Sequence, residues 1–325
     1  MTRATDTTER VTEYDFEAHR RELTGYCYRM LGSGFEAEDA VQETMIRAWR
    51  KIDQLQGQAA LRSWMYSIAT NVCLDMLRGP QRRARPMDLG PSSTADTPIF
   101  PTARSENTFV EPIADAKVLP NGGDPAELAA SRETIRLAFI AALQNLPPKQ
   151  RAVLILREVL CWHADEVAEL LDTSVASVNS ALQRARATMA ADDSGPKPGT
   201  AVDPSQQALL ARYIDAFERY DMAKLVALLH EDAIMSMPPF TLWLEGPAQI
   251  AEFFVGQGAA CEGSKLVATT ANGCPAFGSY KPDPNGGYTP WSIQVIEMAN
   301  GRITGHHNFL DTKLFESFGL PAHLD

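Results

Sequence analysis

The segment Ala37–Arg78 constrains the chain more than any other. In its first half Ala37, Val41, Met45, Ala48 and Ile52 recur at helical spacing, the mark of an amphipathic helix with one buried stripe. Asp39, Glu43, Arg47 and Arg50 fall outside that stripe. In the second half, Leu61–Arg78, the residues Trp64, Ile68, Val72, Met76 and Leu77 repeat the pattern. Arg62, Ser63, Asn71, Asp75 and Arg78 lie opposite. Asn71, Asp75 and Arg78 stand one helical turn apart and so share a face. A third helix over Tyr14–Met30, with Phe16, Leu23, Tyr26, Cys27 and Met30 on one side, completes an all-α module. Leu31-Gly-Ser-Gly-Phe35 is the break between the first two helices.

Residues 81–125 change in texture. Pro, Ser, Thr and Asp are frequent and no apolar period survives, which reads as a largely irregular linker. Its basic start, Gln81-Arg-Arg-Ala-Arg85, reads either as a solvated helix exit or as a phosphate contact. Helical texture returns over 126–192, with helices expected at Ala126–Gln144, Gln150–Glu158, Ala164–Leu171 and Ser174–Ala190. The last pair has the size and turn of a helix-turn-helix. In its second helix Val175, Val178, Leu182, Ala185 and Met189 face inward, and Ser177, Ser180, Gln183, Arg184 and Arg186 lie on or near the outer faces. A second linker spans 193–203.

From 204 to 325 helices give way to strands. Helices are expected over Gln206–Arg219, Met222–His230 and Pro247–Gly256, and strands over Asp232–Met237, Leu266–Ala271, Ala276–Tyr280, Trp291–Met298 and Arg302–Leu310. Asn300-Gly301 is a hairpin turn signal. The order suggests a cone-shaped α+β domain. Residues 1–12 read as a disordered tail.

The net charge of −11 is unexpected for a nucleic-acid-binding chain, but residues 201–325 hold 7 Lys+Arg against 14 Asp+Glu and so carry most of it. DNA contacts elsewhere must come from local basic clusters, and the chain alone should bind DNA weakly. No apolar run reaches about 18 residues, and the polar N-terminus is no signal peptide, so no membrane role is indicated and a cytoplasmic protein is expected. The five cysteines lack metal-ligand spacing; Cys27, Cys73 and Cys161 fall in apolar patterns and read as buried thiols. No metal or cofactor is expected.

Two stretches carry a resemblance. Ala37–Ile52 followed by Leu61–Arg78 resembles region two of the extracytoplasmic-function sigma factors of bacterial RNA polymerase, through Glu38-Asp39, Gln42-Glu43, Trp49, Trp64, Ile68-Ala69, Asn71, Asp75 and Arg78. Leu146–Val159 with Ala164–Met189 resembles region four, through Leu146-Pro147, Gln150-Arg151, Glu166, Ala168, Leu171, Ser174, Val178, Ser180, Leu182 and Arg184-Ala-Arg186. Asp172 stands where that family has Gly in the turn, and Asn179 and Ala181 where basic residues are common. The C-terminal part, through Ala216–Pro239, Glu245–Phe254 and Gly301–Pro321, is similar to SnoaL-like members of the nuclear-transport-factor-two superfamily.

The resemblance implies a multidomain chain: region two over 13–80, region four over 126–192 and a SnoaL-like domain over 204–325. It implies a factor that directs polymerase core to promoter DNA, with its activity modulated in cis by the C-terminal domain, and that catalyses nothing. Asp39, Gln42, Glu43 and Arg47 would meet polymerase. Asn71, Asp75, Arg78, Arg82 and Arg83 would meet the promoter box nearer the start site; Asp75 either joins that face or orients Arg78. Trp64 and Tyr66 would pack in the core or stack on bases. Ser177, Ser180, Gln183, Arg184 and Arg186 would meet the distant box, with Arg186 placed on phosphate. His230, Asp232, Trp243 and His307 are candidates for a small-molecule pocket in the cone, with His306 and Asp311 nearby; at most one of His306 and His307 can face inward, because neighbours in a strand point to opposite faces. Two rival readings remain at this point: a bifunctional protein whose cone domain is an isomerase or cyclase, and a one-component helix-turn-helix regulator that works without core polymerase.

Overall fold

The structure, a computed structural model, describes residues 15–55, 57, 60–79, 83–191 and 204–325. The expected tail at 1–12 and the linker at 193–203 lie outside the described residues. The longer helices are α1 (Arg20–Leu31), α2 (Gly34–Arg50), α3 (Leu61–Met76), α4 (Pro125–Glu133), α5 (Leu137–Gln144), α6 (Pro148–Leu154), α7 (Ala164–Leu170), α8 (Val175–Ala191), α9 (Pro204–Glu218), α10 (Met222–Val226) and α11 (Pro247–Val255). The strands are β1 (Leu229–Ser236), β2 (Trp243–Glu245), β3 (Lys265–Ala271), β4 (Cys274–Pro282), β5 (Tyr288–Ala299) and β6 (Arg302–Phe309). The chain divides into two compact units, one of 1–82, 116–124 and 138–193, the other of 83–115, 125–137 and 194–325.

The first unit holds both helical modules. Gly32 ends α1 in the left-handed region at φ 73°, and the Ser33 hydroxyl accepts from the Glu36 amide to cap α2, which explains the sharp break between them. The α2 stripe is buried at Ala37, Val41, Ala48 and Ile52, as the spacing predicts. The α3 stripe is broader than predicted. Ile68 and Val72 are buried, but Met76 is 39% exposed, and Met65, Tyr66, Ala69 and Cys73 are buried beside them. A one-stripe period describes a helix packed on one side, whereas α3 packs on α1 and α2 and also on α6 and α7. The tyrosines Tyr26 and Tyr66 meet edge to face at 5.2 Å, and Tyr26 hydrogen-bonds Thr70 at 2.8 Å.

In the second module α6 starts on Pro148 and runs into a π-helical turn, Ile155–Val159. The α7–α8 turn contains Asp172 at φ 49°, in the left-handed region that glycine most readily occupies; its short polar side chain tolerates that conformation. Val178, Leu182 and Ala185 are buried, but Val175 is 42% exposed at the start of α8, where no preceding turn covers it. Cys161 is exposed, contrary to its apolar sequence context, and lies at φ 56° in the connection between the π-helical turn and α7. The helix expected over Ala126–Gln144 is split into α4 and α5.

The second unit is a six-stranded sheet, ordered β2-β1-β6-β5-β4-β3, with β1 and β6 parallel and all other neighbours antiparallel. Tyr213 and Phe217 of α9 and Ile250, Phe253 and Phe254 of α11 cover one face against Met235, Phe277, Ile296 and Met298. Asn300 (φ 52°) and Gly301 (φ 71°) form the expected hairpin turn, with Ala299 opposite Arg302.

Residues 83–115 belong to this unit. They carry only short helical turns, but their backbone is held at several points. Ser93 donates to the Trp243 carbonyl at 2.8 Å, Arg104 to that of Pro239 at 2.9 Å, and the Gln249 side chain accepts from Ala95 at 2.8 Å. Ala95, Phe109, Val110 and Ile113 are each at most 4% exposed. The stretch read from its composition as a linker is therefore a strap bound along the C-terminal domain. Its apolar residues lack a period because they follow the sheet's surface and not a helix axis.

Candidate polymerase and promoter surfaces

Asp39 and Gln42 are exposed on α2, one turn apart, and Glu43 and Arg47 are half-buried beside them. Arg47 donates through Nε to Glu43 at 2.7 Å and through Nη1 to Asp75 of α3 at 3.3 Å. Asp75 also pairs with Arg78 at 2.9 Å. Four of the predicted residues thus form one chain of charges that couples the acidic face of α2 to the end of α3. Hydrogen bonding to Glu43, outweighing the cost of burial, holds the Arg47 guanidinium above its ordinary range. Asp75 thus pairs with both Arg47 and Arg78. The side chain of Arg78 remains 80% exposed. Asn71 is exposed, with its amide donating to the Ser67 carbonyl at 3.0 Å.

Two basic candidates do not join this face. Arg82 lies outside the described residues. Arg83 is 5% exposed and donates to the Phe109 carbonyl at 2.8 Å, with Glu111 at 3.4 Å, so its charge is spent inside the strap and cannot meet phosphate.

On α8, Ser177, Ser180, Gln183, Arg184 and Arg186 are all exposed. Ser174 caps the helix by accepting from the Ser177 amide at 3.2 Å. Arg184 donates to the Ser180 hydroxyl at 2.6 Å, and these two with Ser177 and Gln183 form an open polar surface suited to base edges. Arg186 pairs with Glu158 of the π-helical turn at 2.5 Å, an exposed pair that DNA phosphate can compete for.

The two helical modules pack on each other within the first unit. Tyr66 of α3 meets Trp162 edge to face at 5.1 Å, and the Arg62 guanidinium lies over both rings, at 5.3 and 5.5 Å. Ser67 reaches the Leu170 carbonyl at the end of α7, at 3.5 Å. Arg151 of α6 is 3% exposed and donates to the Met30 carbonyl of α1 and to the Gln144 side chain and the carbonyls of Gln144 and Leu146. Tyr66 is therefore buried and taken up by Trp162, which excludes base stacking in this conformation. Sequence reasoning treated Trp162 as part of a short connection. The signal was a tryptophan in a loop between helices, which rarely stays there without a docking partner.

The four pocket candidates of the C-terminal domain fall into two groups, His230 with Asp232 at 3.7 Å and Trp243 with His307 on either side of Ser236. His230 and Asp232 lie at the start of β1, with the side chain of Asp232 74% exposed. Trp243 pairs with Ser236 at the other end of β1 and donates to the Gly90 carbonyl of the strap at 3.0 Å. His307 bonds Ser236 at 2.8 Å and faces Glu297 at 3.6 Å, on the side of the sheet away from α9 and α11. Asp311 accepts from the Lys313 amide at 3.0 Å, a turn ahead of the short helix Leu314–Ser317, whose N-cap is Lys313. The inward histidine is His306, which stacks on Phe254 at 6.0 Å and shares the Tyr213 hydroxyl at 3.0 Å; Tyr213 donates in turn to Gln294 at 2.7 Å. Alternation counted from buried Ile303 puts His307 inward. An extra residue at Thr304 reverses it, since Glu297 and Met298 are adjacent on β5 while their partners Gly305 and Ile303 are not adjacent on β6. Burial, and then the neighbouring His307, push the His306 imidazole down to about 3.

Three family profiles match the chain: Sigma-70 region 2 over residues 16–83, Sigma-70 region 4 over 136–189 and a SnoaL-like domain over 210–306. The chain is 44% identical to ECF RNA polymerase sigma factor SigG of Mycobacterium tuberculosis over 321 residues, which is 95% of this chain and 85% of that protein. It is 26% identical to ECF RNA polymerase sigma factor SigJ of the same species over 251 residues, 74% of this chain and 72% of that protein. The crystal structure of SigJ shares the fold at TM-score 0.60 and 22% identity, covering 96% of this chain and 100% of that one. With region two, region four and a C-terminal SnoaL-like domain in one polypeptide, the chain belongs to the extracytoplasmic-function sigma factors of RNA polymerase.

Proposed function

We propose that this sigma factor directs core polymerase to its promoters through two separate polar faces and that the conformation described here is its held form. Asp39, Gln42, Glu43 and Arg47 dock on core, the charges of α2 giving orientation and rate more than raw affinity. Asn71 and Arg78 read or hold the nearer box, with Asp75 and Arg47 fixing the guanidinium of Arg78. Ser177, Ser180, Gln183 and Arg184 read the distant box in the major groove. Arg186 exchanges Glu158 for phosphate on binding.

The observation that carries this reading is the division of surfaces. The proposed reading residues are exposed on both modules, while the modules themselves are joined through Tyr66, Trp162, Arg62 and Arg151. On this reading the two modules part from that contact to read two boxes at once, and polymerase opens the first unit. The C-terminal domain, which holds the strap between the modules, modulates that opening in cis. We read it as a control module and not as an enzyme: His306 is neutral at working pH, sealed by aromatic rings and hydrogen-bonded to Tyr213. No helix among the described residues is long and apolar enough to cross a membrane; the factor works where core polymerase works, in the cytoplasm.

Run-off transcription with purified core and the full chain tests the reading. Core-dependent transcript is expected, reduced separately by Asn71→Ala and by Arg184→Ala. Failure to join core, or two variants that transcribe like the parent, would refute it.

A further inference from the structure

Among the described residues, two Asn-Gly hairpin turns in the sheet are built alike and used differently. Asn300 (φ 52°) is exposed, as a turn residue normally is. Asn272 (φ 54°), at the β3–β4 turn, is 0% exposed. Its backbone amide donates to the Ile113 carbonyl at 3.1 Å, and its side-chain oxygen accepts from the Ile113 amide at 3.0 Å. Its side-chain nitrogen donates to the Ile135 carbonyl at 2.6 Å. Beside it the Gly273 amide donates to Asp115 at 2.8 Å, and Ala271 bridges Ala114. A Cβ on Gly273 would stand 2.9 Å from the Arg132 backbone oxygen, so the turn is also pressed against the end of α4.

The turn itself needs none of this. Glycine adopts φ > 0 at less cost than asparagine, so the buried amide is explained by what it holds. What it holds is two points that flank residues 114–134, one in the strap and one just before α5. Both lie in the chain between region two and region four. The next residue of β4 repeats the grip, because Arg136 donates to the Cys274 sulfur at 3.0 Å and pairs with Glu133 at 2.9 Å. The carbonyl of Ile135 is drawn to Asn272 where a continuous helix would use it, which accounts for the split between α4 and α5.

We propose that Asn272-Gly273 is a clasp that fastens the segment between the two DNA-reading modules onto the C-terminal domain, and that its release is the control point of the factor. The proposal rests on the cis-control reading above and names its device. With the clasp closed, the strap and the approach to α5 are fixed and cannot pay out as the modules part. With it open, that length of chain is released.

Hydrogen exchange and run-off transcription on the full-length protein test the clasp. Asn272→Gly keeps the turn conformation and removes the side-chain bonds; Asp115→Ala breaks the grip from the strap side and leaves the sheet untouched. Asn300→Gly is the control. Both clasp variants should speed exchange at residues 113–115 and 135 about fivefold to tenfold, with β5 and β6 as protected as in the parent. Core-dependent transcript should rise about fivefold, and Asn300→Gly should change neither. Unchanged exchange at residues 113–115 would overturn the clasp. So would loss of protection across β5 and β6 in both variants, since the turn would then be a folding element. Faster exchange with unaltered transcript would overturn the control point. A parent protein that yields no core-dependent transcript would instead sink the sigma-factor reading, while the exchange result would still decide the clasp.

Discussion

His306 is enclosed by Tyr213, Phe217 and Phe254, and it stays neutral in the folded state down to about pH 3. In the unfolded chain its imidazole takes a proton near pH 6.5. The unfolded state therefore binds more protons between those values, and stability is lost as pH falls from about 6.5 towards 3. The loss should reach a few kcal/mol, about 1.4 per pH unit, and denaturant midpoints measured from pH 7 to 4 should show it. His306→Phe, which fits the aromatic surroundings, should flatten that slope. At the DNA-reading positions, Asn71→Ala and Arg184→Ala should each cost about 1–3 kcal/mol of promoter binding, read as weaker run-off and relaxed sequence preference. The residues of the α2–α3 charge chain were legible in the sequence because helical spacing places Asp39, Glu43 and Arg47, or Asn71, Asp75 and Arg78, on shared faces. Arg83 and His307 were misplaced because their surroundings come from distant chain: a strap carbonyl in one case, a bulge that shifts strand parity in the other.

At the scale of elements, α6 is fastened to α1 by one side chain. Arg151 is a buried fork whose donors are spread over the carbonyls of Met30, Gln144 and Leu146 and the Gln144 side chain. Replacing it by Met strands those acceptors, and chemical denaturation should report a loss of about 3 kcal/mol or more. Arg151→Lys should be nearly as damaging, because one ammonium cannot match the fork. The sequence marked α1, α2, α3, α7 and α8 well, since each has its own apolar period and breaks at Gly32 or Asp172. It also marked the Asn300-Gly301 hairpin. It did not mark the end of α4, where no Gly or Pro stands; just beyond it the Ile135 carbonyl accepts from the Asn272 side chain of the C-terminal domain. Nor did it show α3 as doubly packed, because one amphipathic period reports one face.

In the whole molecule, the order of segments along the chain does not match their grouping in space. Region two and region four share a unit, and the chain between them is bound for much of its length to the C-terminal domain. That strap was invisible to periodicity, since Ala95, Phe109, Val110 and Ile113 are buried singly against a curved sheet. A chain cut near residue 193 would expose these residues, so the C-terminal domain has a structural part in the factor beside the control proposed for it. On the proposed reading, the first unit opens for the two DNA-facing surfaces to act together. Fluorescence energy transfer between dyes coupled through unnatural amino acids at the exposed positions Ser63 of α3 and Ala187 of α8 measures this directly. High transfer in the protein alone, falling when core polymerase and promoter DNA are added, is the result expected. Transfer that stays high in a complex making transcript would contradict it.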